Sequence, residues 1–161
     1  MHVNFRKIQP ADNTAVAAMI RQVFRDFKAV QKGTVYEDPT TDYLSDVFNQ
    51  PSAILLVAEV DGKVEGTCGI YPTEGLPTGC AELVKFYFSD KIRGKGYGRQ
   101  LYQKCEEFAK SQGYTDLYIE SLNDFSAAVK MYEKLGYVHL TQRLGSSGHF
   151  GCGIWMLKKL E

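Results

Sequence analysis

Apolar positions along this chain switch between strand spacing and helix spacing, and the switches predict its elements. A weak alternation over Val3 to Gln9 reads as a first strand. Beyond Pro10 and Asp12, the residues Val16, Met19, Ile20, Val23, Phe24 and Phe27 recur on one face of a helix. A polar segment, Gln31 to Thr41, leads to a short second helix through Tyr43, Leu44, Val47 and Phe48. Two strand-like runs, Ala53 to Val60 and Lys63 to Tyr71, flank Asp61-Gly62, which signals a two-residue hairpin. A Pro/Gly-rich loop then reaches a further strand, Gly79 to Phe88, and a helix burying Leu101, Cys105, Phe108 and Ala109 stops near Gly113. Asp116 to Ser121 is the next strand. The helix after it carries Ala128, Met131, Tyr132 and Leu135 and is capped by Gly136. Tyr137 to Thr141 and Ile154 to Lys158 complete the sheet. This order, a meander followed by strand–helix–strand–helix–strand, predicts a three-layer α/β fold with a mixed sheet.

Composition narrows the function classes. A chain of 161 residues is most simply one domain, residues 1–161, able to bury roughly 70 % of its unfolded surface without disulfides or metals. Nineteen basic residues balance nineteen acidic ones, so no bulk charge draws the chain to nucleic acid or to a membrane surface. Met1 to Lys7 lacks the apolar run of a signal peptide, and the run around Ala53 to Ala58 is too short to span a bilayer. The expectation is a cytoplasmic protein. Cys68, Cys80, Cys105 and Cys152 are scattered without a C-x-x-C pair, which predicts buried free thiols rather than a disulfide framework.

The candidate chemistry centres on Arg93-Gly94-Lys95-Gly96-Tyr97-Gly98, between an apolar strand and an amphipathic helix. Glycines remove Cβ atoms and tolerate positive φ, so successive N–H groups can converge on one point. That point is a helix N-terminus, where unsatisfied donors and the dipole favour an anion, and Arg93 and Lys95 add two charges. A phosphorylated ligand follows. The spacing matches neither the Walker loop nor the G-x-G-x-x-G of dinucleotide folds, since Arg99 stands where the third glycine would be.

With Arg93, Gly96 and Gly98 satisfying [QR]-x-x-G-x-[GA], the chain resembles the GNAT superfamily of acetyl-CoA-dependent N-acetyltransferases. Asn123, Ala127 and Tyr132, within the string from Asn123 to Tyr137, supply a second family element at the expected distance. The resemblance covers Ala53 to Val138 well and Met1 to Gln50 only in element order. It implies the GNAT fold, acetyl-CoA as cosubstrate, and loop amides of Arg93, Gly94, Lys95, Gly96, Tyr97 and Gly98 holding the pyrophosphate. It further implies that the pantetheine arm pairs with the backbone of Phe86 and Phe88, and that Asn123 contacts the arm or caps the following helix.

Acetyl transfer needs a neutral amine, a polarised carbonyl and a proton for the departing thiolate. A Lys-type amine, with an ordinary pKa of about 10.4, calls for a base or a water relay. Glu82, eleven residues before Arg93, matches the base position of the histone-type enzymes, although a solvated carboxylate or an ion-pair partner reads equally from sequence. Tyr132 matches the family tyrosine beside the thioester sulfur; a core tyrosine is the plainer alternative. A backbone N–H on the Leu83 to Phe88 strand would polarise the carbonyl. Glu120 is a candidate for the acidic mouth of the acceptor site or for a solvent-facing carboxylate. Tyr36, Glu37 and Asp38, between the first two helices, suit a cationic amine or an ordinary surface loop. Gly145 to Cys152 is glycine-rich and reads as a flexible loop bordering the acceptor site or as a hairpin without function. His149 and Cys152 in it have no partners at metal-ligand spacing, so no metal is expected. The acceptor expected is a primary amine of a small molecule, of the amino-acid or polyamine type, or of a peptide. A non-catalytic acyl-CoA sensor is the alternative, and a homodimer is a form the family allows.

Overall fold

The computed structural model describes residues 1–161. In chain order the elements are β1 (Val3–Lys7), α1 (Asn13–Asp26), α2 (Leu44–Val47), β2 (Ile54–Val60), β3 (Lys63–Tyr71), β4 (Cys80–Phe88), α3 (Tyr97–Ser111), β5 (Asp116–Ser121), α4 (Ser126–Lys134), β6 (Val138–His139) and β7 (Ile154–Lys159). Seven strands form one sheet in the order β1-β2-β3-β4-β5-β7-β6. Every pairing is antiparallel except β4 with β5, and α3 makes the crossover that this parallel pair requires.

Alternation along β2 shows how the layers arise. Leu55 and Val57 pack with Val16, Ile20, Phe24 and Leu44 of α1 and α2, whereas Leu56 and Ala58 pack with Leu101, Cys105, Val129 and Tyr132 of α3 and α4. A strand covered on both faces must be apolar throughout, which is why Ala53 to Ala58 reads as an unbroken run. Three-layer α/β architecture with a mixed sheet is what the pattern predicted. No helix is long and apolar enough to cross a membrane.

The differences are local. On α4, Val129 joins Tyr132 in the buried core while Ala128, Met131 and Leu135 pack against it half-buried, and Phe108 is likewise only half-buried. The strand expected over Tyr137 to Thr141 shrinks to Val138–His139, and beyond it Arg143 donates to the carbonyls of His149 and Cys152 at 3.2 and 3.3 Å. All four cysteines are free, and only Cys152 is not fully buried.

Two irregularities of β4 position the site. Its ladder with β5 ends after Cys80–Asp116, Ala81–Leu117 and Glu82–Tyr118, leaving the backbone from Leu83 onward unpaired on that side. Against β3 the register slips between Gly69–Val84 and Thr67–Tyr87, so Lys85 and Phe86 together face Cys68. Lys85 is the bulged residue, with φ +55°, and its carbonyl accepts a 2.6 Å bond from the buried Thr67 hydroxyl. A bulge of this kind re-aims side chains and is frequent beside functional sites.

Candidate active site

A cavity of about 300 Å³ opens where β4 and β5 separate. One end is the glycine loop. Gly94 and Gly96 have φ of +74° and +84°, with Gly96 capping α3, conformations in which a Cβ is costly. The N–H groups from Gly94 to Arg99 donate to no other protein atom; the first to find a carbonyl is that of Gln100, on Gly96 at 3.3 Å. Six free donors at one helix start are an arrangement that suits an anion. Gly94 and Gly98 line the cavity, while Lys95 is exposed beside it. Arg93 is not the free charge the sequence suggested. It donates from Nε to the Phe88 carbonyl at 2.7 Å and from Nη2 to Asp26 at 3.0 Å, and it stacks over Phe27 at 4.6 Å. Those contacts fasten the loop to the end of α1.

The middle of the cavity is lined by Phe86, Phe88, Ala128, Met131 and Tyr132. Tyr132 is 5 % exposed, its ring 6.0 Å from that of Phe86 and 5.8 Å from that of Tyr137. Burial holds its phenol well above the ordinary value, so it stays protonated across the physiological range and remains a donor.

At the far end Glu82 is 4 % exposed. Burial raises its carboxyl from 4.5 to about 7; Glu120 adds to the rise, while the Thr73 hydroxyl and Lys85 oppose it. Thr73 Oγ1 donates to Glu82 Oε1 at 2.6 Å. Glu120, its side chain 2 % exposed, accepts from Tyr118 Oη at 2.7 Å and Ser147 Oγ at 2.6 Å, with Arg143 Nε at 3.5 Å. His149 Nε2 lies 2.8 Å from Asp38 Oδ2, which clamps the Gly145–Cys152 segment to the chain after α1. Burial lowers the imidazole pKa, and Lys85 lowers it further against the pull of Asp38. Burial alone would raise the Asp38 carboxyl, but hydrogen bonds from His149 and Thr40 outweigh it and leave it below its ordinary value.

Of the residues singled out from sequence, Glu82, Phe86, Phe88, Arg93, Gly94, Gly98, Glu120 and Tyr132 share this cavity wall. Lys95, Gly96 and Tyr97 complete the loop just outside it, with Tyr97 packed edge-on against Phe5. Asn123 is exposed in the turn before α4 and lies outside the wall, as does Tyr36, whose ring packs on Phe24 and whose hydroxyl takes a 3.3 Å bond from Arg25. Asp38 reaches the cavity only through His149, and Glu37 accepts from the Gly33 N–H at 2.6 Å. Thr73 and Lys85 were not legible as site residues. For Lys85 there was a signal, a lone charge inside the apolar string Leu83-Val84-Lys85-Phe86-Tyr87-Phe88.

Comparison with known proteins gives a consistent picture. Residues 17–137 match the acetyltransferase (GNAT) family model. The chain is 36% identical over 156 residues to YjgM, an uncharacterized N-acetyltransferase of Escherichia coli, covering 96% of this chain and 93% of that protein. It is 30% identical over 84% of its length to the mouse probable N-acetyltransferase family 8 member 5. It spans 57% of that mouse protein and 50% of the rat N-acetyltransferase 8B, to which it is 33% identical. In fold it resembles a GNAT-family acetyltransferase of Staphylococcus aureus (TM-score 0.84, 15% identity, 99% and 100% of the two chains). It also resembles the Thermoplasma acidophilum PaiA N-acetyltransferase, solved in complex with coenzyme A (TM-score 0.74, 16% identity, 99% and 100%). The chain therefore belongs to the GNAT acetyltransferase family and is an N-acetyltransferase.

Proposed function

We propose that the protein transfers an acetyl group from acetyl-CoA to a primary amine of a small molecule or peptide by direct attack, with Glu82 as base and Tyr132 as acid. The observation that carries this reading is one cavity wall holding a buried carboxyl near neutrality, a buried protonated phenol and a cluster of unsatisfied amides. The residues fit the cosubstrate: the amides from Gly94 to Arg99 suit a pyrophosphate, and the unpaired edge of β4 beyond Glu82 offers backbone groups to an extended arm. Acetyl-CoA supplies an activated thioester.

Glu82 takes a proton from the acceptor ammonium, and the freed nitrogen attacks the thioester carbon. A C–N bond forms, the C–S bond breaks, and the departing thiolate, whose conjugate acid has a pKa of about 8.5, takes the Tyr132 proton. The products are an amide and the free thiol; the second proton of the attacking nitrogen leaves to solvent as the amide forms, and Tyr132 is reprotonated from solvent. An N–H of β4 would hold the carbonyl oxygen as negative charge develops. The test follows thiol release over an amine panel for the wild type, Glu82→Gln and Tyr132→Phe. Loss of rate in both variants is expected, together with a rise in Tm on adding acetyl-CoA. Wild-type turnover by both variants would remove the role assignments, and no Tm shift at saturation would remove the cosubstrate.

A further inference from the structure

The reaction described above leaves one charged group of the cavity without a task. Lys85 lines the wall three residues beyond Glu82, yet its ammonium makes no hydrogen bond and no ion pair; burial lowers its pKa, and Glu82, Asp38 and Cys152 oppose that only across space. The other charges in and beside the wall are engaged. Glu120 is held by Tyr118, Ser147 and Arg143, Asp38 by His149 and Thr40, and Arg93 by Asp26 at the opposite end. The backbone adopts a strained conformation at Lys85. A left-handed φ at a non-glycine residue costs about 1–2 kcal/mol, and here the buried Thr67 hydroxyl fixes it. Such strain persists only where surrounding structure over-determines it, and an observed outlier in a cavity wall points to use. Lys85 is half-buried, and desolvating an ammonium without a partner is costly as well.

We propose that the acceptor is an amino carboxylate, with amine and carboxylate a few bonds apart, and that Lys85 Nζ holds the carboxylate while Glu82 receives the amine proton. This rests on the transfer reaction proposed above. Glu82 and Lys85 arise from one strand, and the bulge between them places both side chains at one cavity, so the two ends of a small zwitterion meet opposite charges. A polyamine would bring a second ammonium against Lys85 and is disfavoured. The anchoring bond is charge-assisted on both sides, a class worth on the order of 10- to 100-fold in affinity.

The test uses matched pairs, each an amino acid and its decarboxylated amine: phenylalanine with phenethylamine, leucine with isoamylamine, lysine with cadaverine. Binding to the coenzyme A-loaded protein is measured by calorimetry, and turnover with acetyl-CoA is measured separately. The carboxylated member of each pair should bind roughly 10- to 100-fold more tightly. Lys85→Met should erase that gap by raising KM for the amino acid alone, Lys85→Arg should keep part of it, and both should keep the Tm rise given by coenzyme A. Decarboxylated amines binding as well as the amino acids would overturn the inference, as would no binding by any pair. A Lys85→Met loss that is equal for both members overturns it too, because Lys85 would then act only through Glu82. The wild-type pairs decide even where a variant fails to fold. Binding preference without turnover would instead sink the transfer reaction and leave the anchor standing.

Discussion

Replacing Glu82 with Gln separates two consequences of one buried carboxyl. Raising its pKa from 4.5 to about 7 means that the ionised form is disfavoured by about 3 kcal/mol, at about 1.4 kcal/mol per tenfold. The folded state thus binds a proton that the unfolded state has already released between pH 4.5 and about 7. The neutral carboxyl's contribution to stability is complete below 4.5 and is lost as the pH rises through about 7. Gln cannot ionise and can still accept the Thr73 bond, so Glu82→Gln should match wild-type stability near pH 4.5. At pH 8.5 it should exceed the wild type by up to about 3 kcal/mol, several degrees in Tm for a chain of this size. Activity should move the other way. The base is competent only when ionised, so wild-type kcat/KM should climb through about pH 7, whereas the variant should lose roughly 10²–10⁴-fold and that limb with it. Scanning calorimetry at the two pH values and a thiol-release pH profile read both effects. A variant with no stability gain at pH 8.5 would refute the buried carboxyl, and one that kept the wild-type rate and limb would refute its role as base.

Three further outcomes follow from the same geometry. Tyr132→Phe removes a buried hydroxyl that has no protein partner, so kcat should fall at least about 10-fold while stability and the acetyl-CoA KM stay near wild type, read by steady-state kinetics and Tm. Thr73→Val removes the hydrogen bond that holds the Glu82 carboxyl down, so the acidic limb of the pH profile should shift above 7; an unmoved limb would contradict the assignment of that limb to Glu82. Gly96→Ala puts a Cβ into open space at φ +84°, so its cost is conformational, about 1 kcal/mol, and distortion of the amide cluster should weaken acetyl-CoA binding about tenfold by calorimetry.

The elements were largely legible because periodicity reports burial, and burial decides most of them. The unbroken run at β2 and the hairpin at Asp61-Gly62 survived intact. Where sequence failed, long-range geometry had decided. Nothing local says that Thr73, in a Pro/Gly-rich loop, donates to a carboxylate nine residues on, or that His149 crosses to Asp38 over 111 positions. Motif spacing located the glycine loop, but it assigned Arg93 a free charge that Asp26 and the Phe88 carbonyl already engage. Glu82 was visible as a carboxylate near the site; its pKa depends on burial beside Glu120, which only the packed structure defines.

The bulge at Lys85 explains how one strand serves both halves of such a reaction. Before it, Ala81 and Leu83 face the α3–α4 layer and Val84 the α1–α2 layer; after it, Phe86 and Phe88 take the α3–α4 side and Tyr87 the other. The even positions therefore change face across Lys85. Without the inserted residue, strict alternation would send Phe86 and Phe88 to the face shared by Val84, away from Tyr132. With it, the aromatic wall meets Tyr132 at 6.0 Å, while Glu82 and Lys85 reach the same cavity from farther down the strand. The strain at Lys85 is thus tied by register to the proposed site: the slip that accompanies a left-handed lysine also brings Glu82, Tyr132 and the aromatic wall to one opening.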